Sequence, residues 1–132
     1  DLEELRKFRN EQEPYAACCI RVEEIGPARP GDTTSGGPLL NRVGVPHGGV
    51  YFSLADTACG SAMASHALRR HRQHQLRILR SGRPGDTLTA VASEIKAGRT
   101  ICVFDVRITN QEGTLLGTGT FTFYKLDREI EL

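Results

Sequence analysis

The sequence predicts one α+β domain in which an antiparallel sheet packs around a single long helix. Two observations lead to this expectation. Residues 47–70 are rich in alanine, contain no proline and have one glycine beyond the first turn, as expected of a buried helix. Four segments with the pattern of strands follow, separated by turn-like breaks, which predicts an antiparallel meander. Wrapping the sheet around the helix buries the apolar face of each strand.

The composition restricts the class of protein. The chain has 132 residues, so we expect residues 1–132 to form one domain. Lys and Arg number 17 against 16 Asp and Glu, a balance that argues against nucleic-acid binding. No apolar run reaches the roughly 18 residues of a membrane span. The charged N-terminal residues have no apolar stretch typical of a secretory leader, so a cytoplasmic protein is predicted.

Cysteine and histidine usage predicts neither disulfides nor a metal site. The four cysteines stand at positions 18, 19, 59 and 102 and include no C-x-x-C pair. We expect reduced, buried thiols. The basic stretch "HALRRHRQH" at 66–74 is interpreted as a solvated helix end and not as a set of metal ligands.

The first third of the chain is predicted to hold a helix, a strand and a loop. Apolar residues at helical spacing before Pro14 predict an amphipathic helix over residues 1–13. Residues 15–25 are rich in β-formers and predict a strand. Residues 26–38 contain four glycines and three prolines and predict a loop.

The central helix is predicted over residues 47–70, because the glycines after His47 can open a helix and the basic run "RRHRQH" suits the negative end of its dipole. Strands are then predicted over 75–80, 86–97, 100–109 and 114–126. The third of these alternates most regularly, with Cys102, Phe104, Val106 and Ile108 on one face. The sequence "NQEG" before the last strand predicts a hairpin turn.

The apolar face of the predicted helix contains one acidic residue. Asp56 shares a helical face with Phe52, Cys59 and Met63, and burying a carboxylate among apolar groups costs several kcal/mol unless it is paired. A catalytic acid and a structural acid both remain possible interpretations. The unpaired N–H groups expected at Gly48 stand about 12 Å of helix rise away, so both could reach one carbonyl only if two chains packed their helices antiparallel.

The spacing of these residues resembles a known family. Asn41, the His47-Gly48-Gly49 triplet and Asp56 are similar to a motif of the hotdog-fold acyl-CoA thioesterases of the phenylacetic-acid-degradation (PaaI-like) type. The resemblance covers most of the chain from about residue 15, through "ILRSGRPGDTLTA" at 78–90, "GRT" at 98–100 and "GTGTFTFYKL" at 117–126. It implies a hotdog fold, a homodimer or a tetramer of two dimers, and active sites at the dimer interface.

The resemblance also implies roles for single residues. Asp56 is expected to act as nucleophile or general base, and the Gly48 backbone N–H is expected to polarise the thioester carbonyl. Asn41 and His47 are expected to shape the site, although a turn residue and a helix-start residue are the simpler interpretations. Expected substrate contacts are Gly49, Phe52, Arg80, Gly98, Arg99 and Thr100. No metal or cofactor is implied, because CoA arrives as part of the substrate.

The family would place a second strand within 26–38, where composition predicts a loop, and Arg80 stands where some relatives carry serine.

The leading functional hypothesis is hydrolysis of acyl-CoA, and the rival is an acyl-CoA-binding module without turnover, serving as a sensor or assembly partner. A dehydratase is a third class, but its arrangement of His and acid is not found. The side chains of Tyr51, Phe52, Cys59 and Met63 predict an apolar pocket for an aromatic or medium-chain acyl group.

Overall fold

The fold is described from a computed structural model, which covers residues 3–4, 6–7, 11, 21–22, 30–34, 39–62 and 67–129. The five described residues within the predicted N-terminal helix have helical backbone, and there Arg6 forms an ion pair with Glu3. Most of the strand predicted over 15–25 lies outside the described residues, as do Cys18, Cys19, Met63 and His66.

One helix, α1, runs from Gly48 to Ala62. It buries a face with helical periodicity, formed by Tyr51, Leu54, Ala55, Ala58, Cys59 and Ala62. In the described part of the chain, α1 and every other helix fall short of the apolar length needed to cross a bilayer. Three or more potential metal ligands also gather nowhere among the described residues.

Six strands form one sheet in the order β1-β2-β4-β5-β6-β3, and all neighbours are antiparallel. Their bounds are Arg21–Val22 (β1), Pro30–Thr34 (β2), Ala67–Ile78 (β3), Thr87–Ala97 (β4), Ile101–Thr109 (β5) and Leu115–Glu129 (β6). The strands predicted over 86–97, 100–109 and 114–126 are therefore confirmed to within one residue at their starts. β3 occupies one edge of the sheet.

The helix predicted over 47–70 is wrong for residues 67–70, which belong to β3. The basic run predicted to end the helix lies in this strand. Arginine side chains suit a solvated helix end and a sheet edge equally well, so charge could not separate the two. Strand pairing explains why residues 67–70 are extended. β6 is 15 residues long, and β3 forms backbone hydrogen bonds with it along most of that length.

The loop predicted over 26–38 is wrong for Pro30–Thr34, which forms β2 and pairs with both β1 and β4. A ladder of backbone hydrogen bonds does not need apolar side chains, so composition gave little sign of it. Pro30 has no N–H to donate and stands at the first position of the strand, where proline is tolerated. The second strand implied by the family resemblance is present.

The core lies between α1 and the sheet. The alternation predicted in β5 is confirmed, because Cys102, Phe104, Val106 and Ile108 are all at most 4% exposed. Small residues on β4, Ala90 and Ala92, are fully buried and let α1 pack against this strand. The predicted hairpin is also confirmed: Asn110 Oδ1 accepts hydrogen bonds from the N–H groups of Glu112 and Thr114, both at 3.0 Å.

Candidate active site

The loop before α1 is held in shape by Asn41. Its Oδ1 accepts hydrogen bonds from the N–H groups of Val43 (3.1 Å) and Val45 (3.2 Å). Its own N–H donates to the Val45 carbonyl at 2.8 Å, and Leu40 and Pro46 close the loop as an isolated antiparallel bridge. In this chain Asn41 therefore acts as a turn residue that fixes where α1 begins.

His47 caps the helix. Its Nδ1 accepts a hydrogen bond from the Gly49 N–H at 2.9 Å, and its carbonyl accepts one from the Val50 N–H at 2.9 Å. These bonds satisfy two of the amides that a helix start leaves without partners. Because Nδ1 accepts, the neutral imidazole carries its hydrogen on Nε2.

The cap leaves one amide open. The Gly48 N–H donates to no acceptor among the described residues, and Gly48 is exposed. It is the first amide of α1 and lies at the positive end of the helix dipole. The start of α1 therefore presents a single hydrogen-bond donor to any group that approaches from outside the chain.

The two glycines have different reasons to be glycine. A Cβ on Gly49 would lie 3.1 Å from His47 Nδ1, so a larger residue would push against the capping ring. A Cβ on Gly48 would meet only Ile78 Cδ1, at an ordinary 3.8 Å. Packing among the described residues therefore does not require glycine at position 48.

Asp56 lies on α1 two turns after Gly48 and is half-buried, not fully buried as expected. Its charge and the surrounding core raise the pKa of the Cys59 thiol, burial being the larger cause. The rise of α1 puts about 12 Å between Gly48 and Asp56 of one chain, so one carbonyl cannot touch both.

An aromatic cluster borders the same side of α1. Phe52, one turn before Asp56, is 40% exposed, and its ring lies 5.2 Å from Phe121 and 6.0 Å from His74. His74 in β3 stacks on Phe121 at 4.6 Å and lies 4.8 Å from Phe123. Sequence reasoning missed His74, because it placed this residue at a solvated helix end. The alternation of "QHQLRI" was the available signal.

Comparison with known proteins identifies the family. The family model described as the thioesterase superfamily matches residues 43–116, which is more than half of the chain and contains all of α1. The chain belongs to the thioesterase superfamily. It is 43% identical over 75 residues to the acyl-coenzyme A thioesterase PaaI of Escherichia coli K12, an alignment that covers 56% of this chain and 54% of that protein.

Solved structures place this superfamily member in the hotdog fold. The structure of the E. coli PaaI protein from the phenylacetic acid degradation operon superposes with a TM-score of 0.86 at 27% identity, covering 92% of this chain and 90% of that one. A hypothetical thioesterase of Streptococcus pneumoniae, solved with coenzyme A, gives 0.82 at 28% identity, covering 95% and 98%. The chain spans 53–59% of the length of the curated relatives it matches.

Two of the residues predicted to line an apolar pocket are buried within the chain. Tyr51 and Cys59 are 1% and 0% exposed and belong to the core. Tyr51 instead fixes the segment after β3, since its Oη accepts a hydrogen bond from the buried Gly82 N–H at 2.7 Å. Of the predicted pocket residues that are described, Phe52 alone is open to a ligand.

The predicted substrate contacts fall into two groups. Gly49 and Phe52 lie in the first turns of α1. Arg80 is exposed just after β3, whose last residue, Ile78, would lie 3.8 Å from a Cβ on Gly48. Gly98, Arg99 and Thr100 form the turn between β4 and β5, where the Gly98 N–H donates to the Ile101 carbonyl at 2.9 Å. This turn is separated from the start of β4 by the length of the strand, about 33 Å. One chain therefore does not bring the two groups together.

Proposed function

We propose that this domain hydrolyses acyl-CoA thioesters at a site shared by two copies of the chain. The open Gly48 amide carries this proposal, because it is the one donor that the His47 cap leaves unused and packing does not require its glycine. The likeness to an acyl-CoA thioesterase and to a thioesterase solved with coenzyme A supports the choice of substrate class.

In this proposal the thioester carbonyl accepts a hydrogen bond from the Gly48 N–H, which stabilises the negative charge that develops on the oxygen. Asp56 of the second copy either attacks the carbonyl carbon directly or takes a proton from the water that attacks it. The carbon–sulfur bond then breaks, and CoA departs as the thiol after gaining a proton. If water attacks, the free acid is formed in this step; if Asp56 attacks, a mixed anhydride is formed first, and water then hydrolyses it to the free acid and regenerates the Asp56 carboxylate.

The shared site requires two α1 helices to pack antiparallel, so that Gly48 of one copy faces Asp56 of the other. A homodimer is the smallest assembly that satisfies this, and a tetramer of two dimers satisfies it too. The free edge of β3, 12 residues long, is the part of the described sheet best suited to pairing with a second copy.

The acyl group is proposed to lie against Phe52 and the aromatic cluster behind it, which suits an aromatic or medium-chain acyl group. Gly49 and Arg80 are proposed to contact the substrate from the copy that supplies Gly48. Gly98, Arg99 and Thr100 are proposed to do so from the other copy, because one chain holds the two groups apart.

The proposal is tested by measuring thiol release from a panel of acyl-CoA esters. We expect Asp56→Asn to lower kcat by roughly 10²- to 10⁴-fold with little change in KM, because Asn keeps the shape but can neither attack nor accept a proton. Glu112→Gln, an equal change of charge in the exposed β5–β6 turn, should keep wild-type turnover. Undiminished hydrolysis by Asp56→Asn would make Asp56 a structural acid, whereas binding of acyl-CoA without any hydrolysis by the wild type would favour the binding-module hypothesis.

A further inference from the structure

Three parts of the chain meet at Gly82, a buried residue in the segment between β3 and β4. Its N–H donates a hydrogen bond to Tyr51 Oη in α1 at 2.7 Å. A Cβ on Gly82 would lie 3.4 Å from that oxygen, 3.5 Å from Pro46 Cγ and 3.3 Å from Leu88 Cδ2. The loop before α1, the helix itself and the start of β4 therefore pack directly around one glycine. We call these four residues the glycine junction.

The hydroxyl of Tyr51 holds the middle of the segment after β3. Tyr51 is 1% exposed, and a phenylalanine ring would fill the same space in the core. The oxygen has a separate task, because it supplies an acceptor to a buried backbone N–H that would be costly to leave without one. On one side of this bond, the Leu79 N–H donates to the Leu116 carbonyl at 2.7 Å. On the other side, the Arg83 N–H donates to Asp86 Oδ2 at 2.8 Å.

The glycine junction reaches the open amide of α1 through Pro46. This proline is buried, whereas residues 47–49 are exposed, so it anchors the exposed start of the helix to the core. The hydrogen bonds of the Asn41 side chain set the shape of the loop, and the contact of Pro46 with Gly82 sets its position against the sheet. Because His47 follows Pro46 directly, a displacement of the proline ring moves the capping imidazole and with it the Gly48 N–H.

The segment after β3 also borders Gly48 from the other side. Ile78, the last residue of β3, has its Cδ1 3.8 Å from the position of a Cβ on Gly48. The chain continues from Ile78 into the part that the Tyr51 hydroxyl holds. The glycine junction is therefore connected to both neighbours of the Gly48 amide, the capping loop and the end of β3.

We propose that Tyr51 is a positioning residue of this thioesterase. Its hydrogen bond to Gly82 holds the capping loop in place and thereby keeps the Gly48 N–H directed at the thioester carbonyl. The inference rests on the proposed function, in which that N–H is the oxyanion donor. Such a donor is effective only when it points at the position where negative charge develops, so a small displacement lowers the rate of the chemical step. Because Tyr51 lies in the core and not in the substrate's path, its loss changes kcat and not KM.

The test replaces Tyr51 with phenylalanine, which keeps the ring and removes the acceptor, and measures thiol release from acyl-CoA esters. We expect Tyr51→Phe to lower kcat by about 3- to 10-fold, the range that one hydrogen bond can supply, with KM unchanged. In a Gly48→Ala background the same substitution should have almost no further effect, because both changes act on one amide. Asn110→Ala, which removes two hydrogen bonds from the β5–β6 turn, controls for a general loss of stability and should keep the wild-type kcat.

A second variant and a second measurement follow the same coupling. Pro46→Ala removes the ring that packs against Gly82 but keeps the Tyr51 hydrogen bond, and it should also lower kcat with KM unchanged. Exchange of the Gly49 N–H with water, measured by NMR, follows the cap without any turnover, because this N–H donates to His47 Nδ1. We expect this exchange to be about 3- to 10-fold faster in Tyr51→Phe than in the wild type, and unchanged in Asn110→Ala.

A wild-type kcat in Tyr51→Phe would overturn the inference. A loss that simply multiplies with that of Gly48→Ala would also overturn it, since Tyr51 would then act through the fold alone. If Tyr51→Phe does not fold, the same outcomes are measured with Pro46→Ala. The NMR measurement separates the inference from the proposed function. Faster Gly49 exchange in a protein whose wild type hydrolyses no acyl-CoA contradicts only the hydrolysis, whereas a hydrolase in which neither kcat nor exchange responds to Tyr51→Phe contradicts only the inference.

Discussion

Three consecutive residues divide the tasks at the start of α1. His47 accepts the Gly49 amide, Gly49 leaves room for the imidazole, and Gly48 keeps its own amide open. A helix start without a side-chain cap would offer several unpaired backbone N–H groups to a ligand. Here His47 accepts hydrogen bonds from the Gly49 and Val50 amides, and the Gly48 amide is left as a donor with a fixed direction. Such preorganisation is what an oxyanion site needs.

The two glycine positions should respond differently to alanine. Gly48→Ala should fold with unchanged or higher stability, by up to about 1 kcal/mol, and should lower kcat by about 10-fold or more because the new methyl group occupies the space that the carbonyl enters. Gly49→Ala should instead lose about 0.5–2 kcal/mol of stability, since its methyl group displaces the capping ring. Urea unfolding and turnover of both variants test this. A Gly48→Ala enzyme as fast as the parent would remove Gly48 from the proposed site.

His47 variants distinguish capping from proton transfer. Asn is a strong N-cap residue and keeps an acceptor for the Gly49 amide, whereas Ala keeps none. If His47 positions the helix start, His47→Asn should retain most of the rate and stability that His47→Ala loses. If His47 moves a proton, His47→Asn should be stable and as slow as His47→Ala, and the positioning role would be refuted.

At the scale of elements, a side-chain network joins the β5–β6 turn to the start of β4. Gln111 accepts a hydrogen bond from the Thr87 N–H and donates one to Asp86 Oδ1, both at 3.0 Å. Asp86 Oδ2 accepts one from the Arg83 N–H at 2.8 Å. These hydrogen bonds, with the Arg83 amide as the largest cause, lower the pKa of Asp86, so the network binds the ionised carboxylate best.

The lowered pKa gives the network a defined pH dependence. Its contribution to stability is fully present above the ordinary Asp pKa of about 3.9 and is lost as the pH falls through the lower folded value. Asp86→Asn should therefore be less stable than the wild type at pH 7, and the difference should shrink below about pH 4. Urea unfolding from pH 7 to pH 3, with Glu112→Gln as control, measures it. A difference that stays constant over this range would show that the charge of Asp86 contributes nothing.

Some elements could be predicted from the sequence and others could not. β5 was predictable because every residue on its buried face is apolar, whereas its other face includes Asp105 and Arg107. The alternation within this one segment shows which face is buried. β2 was not, since Pro30–Thr34 is held by backbone bonds to β1 and to β4, and its partners in β4 are 53 to 61 residues away in sequence. The assignment of residues 67–70 to α1 was also wrong, because the basic run fits a helix end and a sheet edge alike.

The candidate site likewise has features that could be predicted from the sequence and features that could not. The spacing of Gly48 and Asp56 on one helix was available from the sequence, together with the expectation that a second chain completes the site. His47 was also expected at the helix start with a bond to the backbone, but the accepting nitrogen, Nδ1, and the donor, the Gly49 N–H, could be identified only from the structure. The buried positions of Tyr51 and Cys59 depend on which face of α1 meets the sheet, and period alone does not fix that face.

At the scale of the whole molecule, a shared site predicts complementation between two impaired chains. In a mixed dimer of Gly48→Ala and Asp56→Asn, one site carries both substitutions and the other carries neither. Random mixing of equal amounts should restore about a quarter of wild-type activity, because half of the dimers are mixed and each has one intact site. The experiment refolds the variants together and measures turnover. Activity no higher than the average of the two separate variants would place the whole site within one chain.

The separation of Gly48 from Asp56 along α1 also sets a reaction order. If neither chain holds a complete site, the rate at protein concentrations well below the dimer dissociation constant rises with the square of the concentration, and dilution lowers the activity per milligram. Substrate that bridges the two copies pulls the equilibrium toward the dimer by mass action. The amount of chain in a cell would then act as a threshold, below which the thioester pool is left almost untouched.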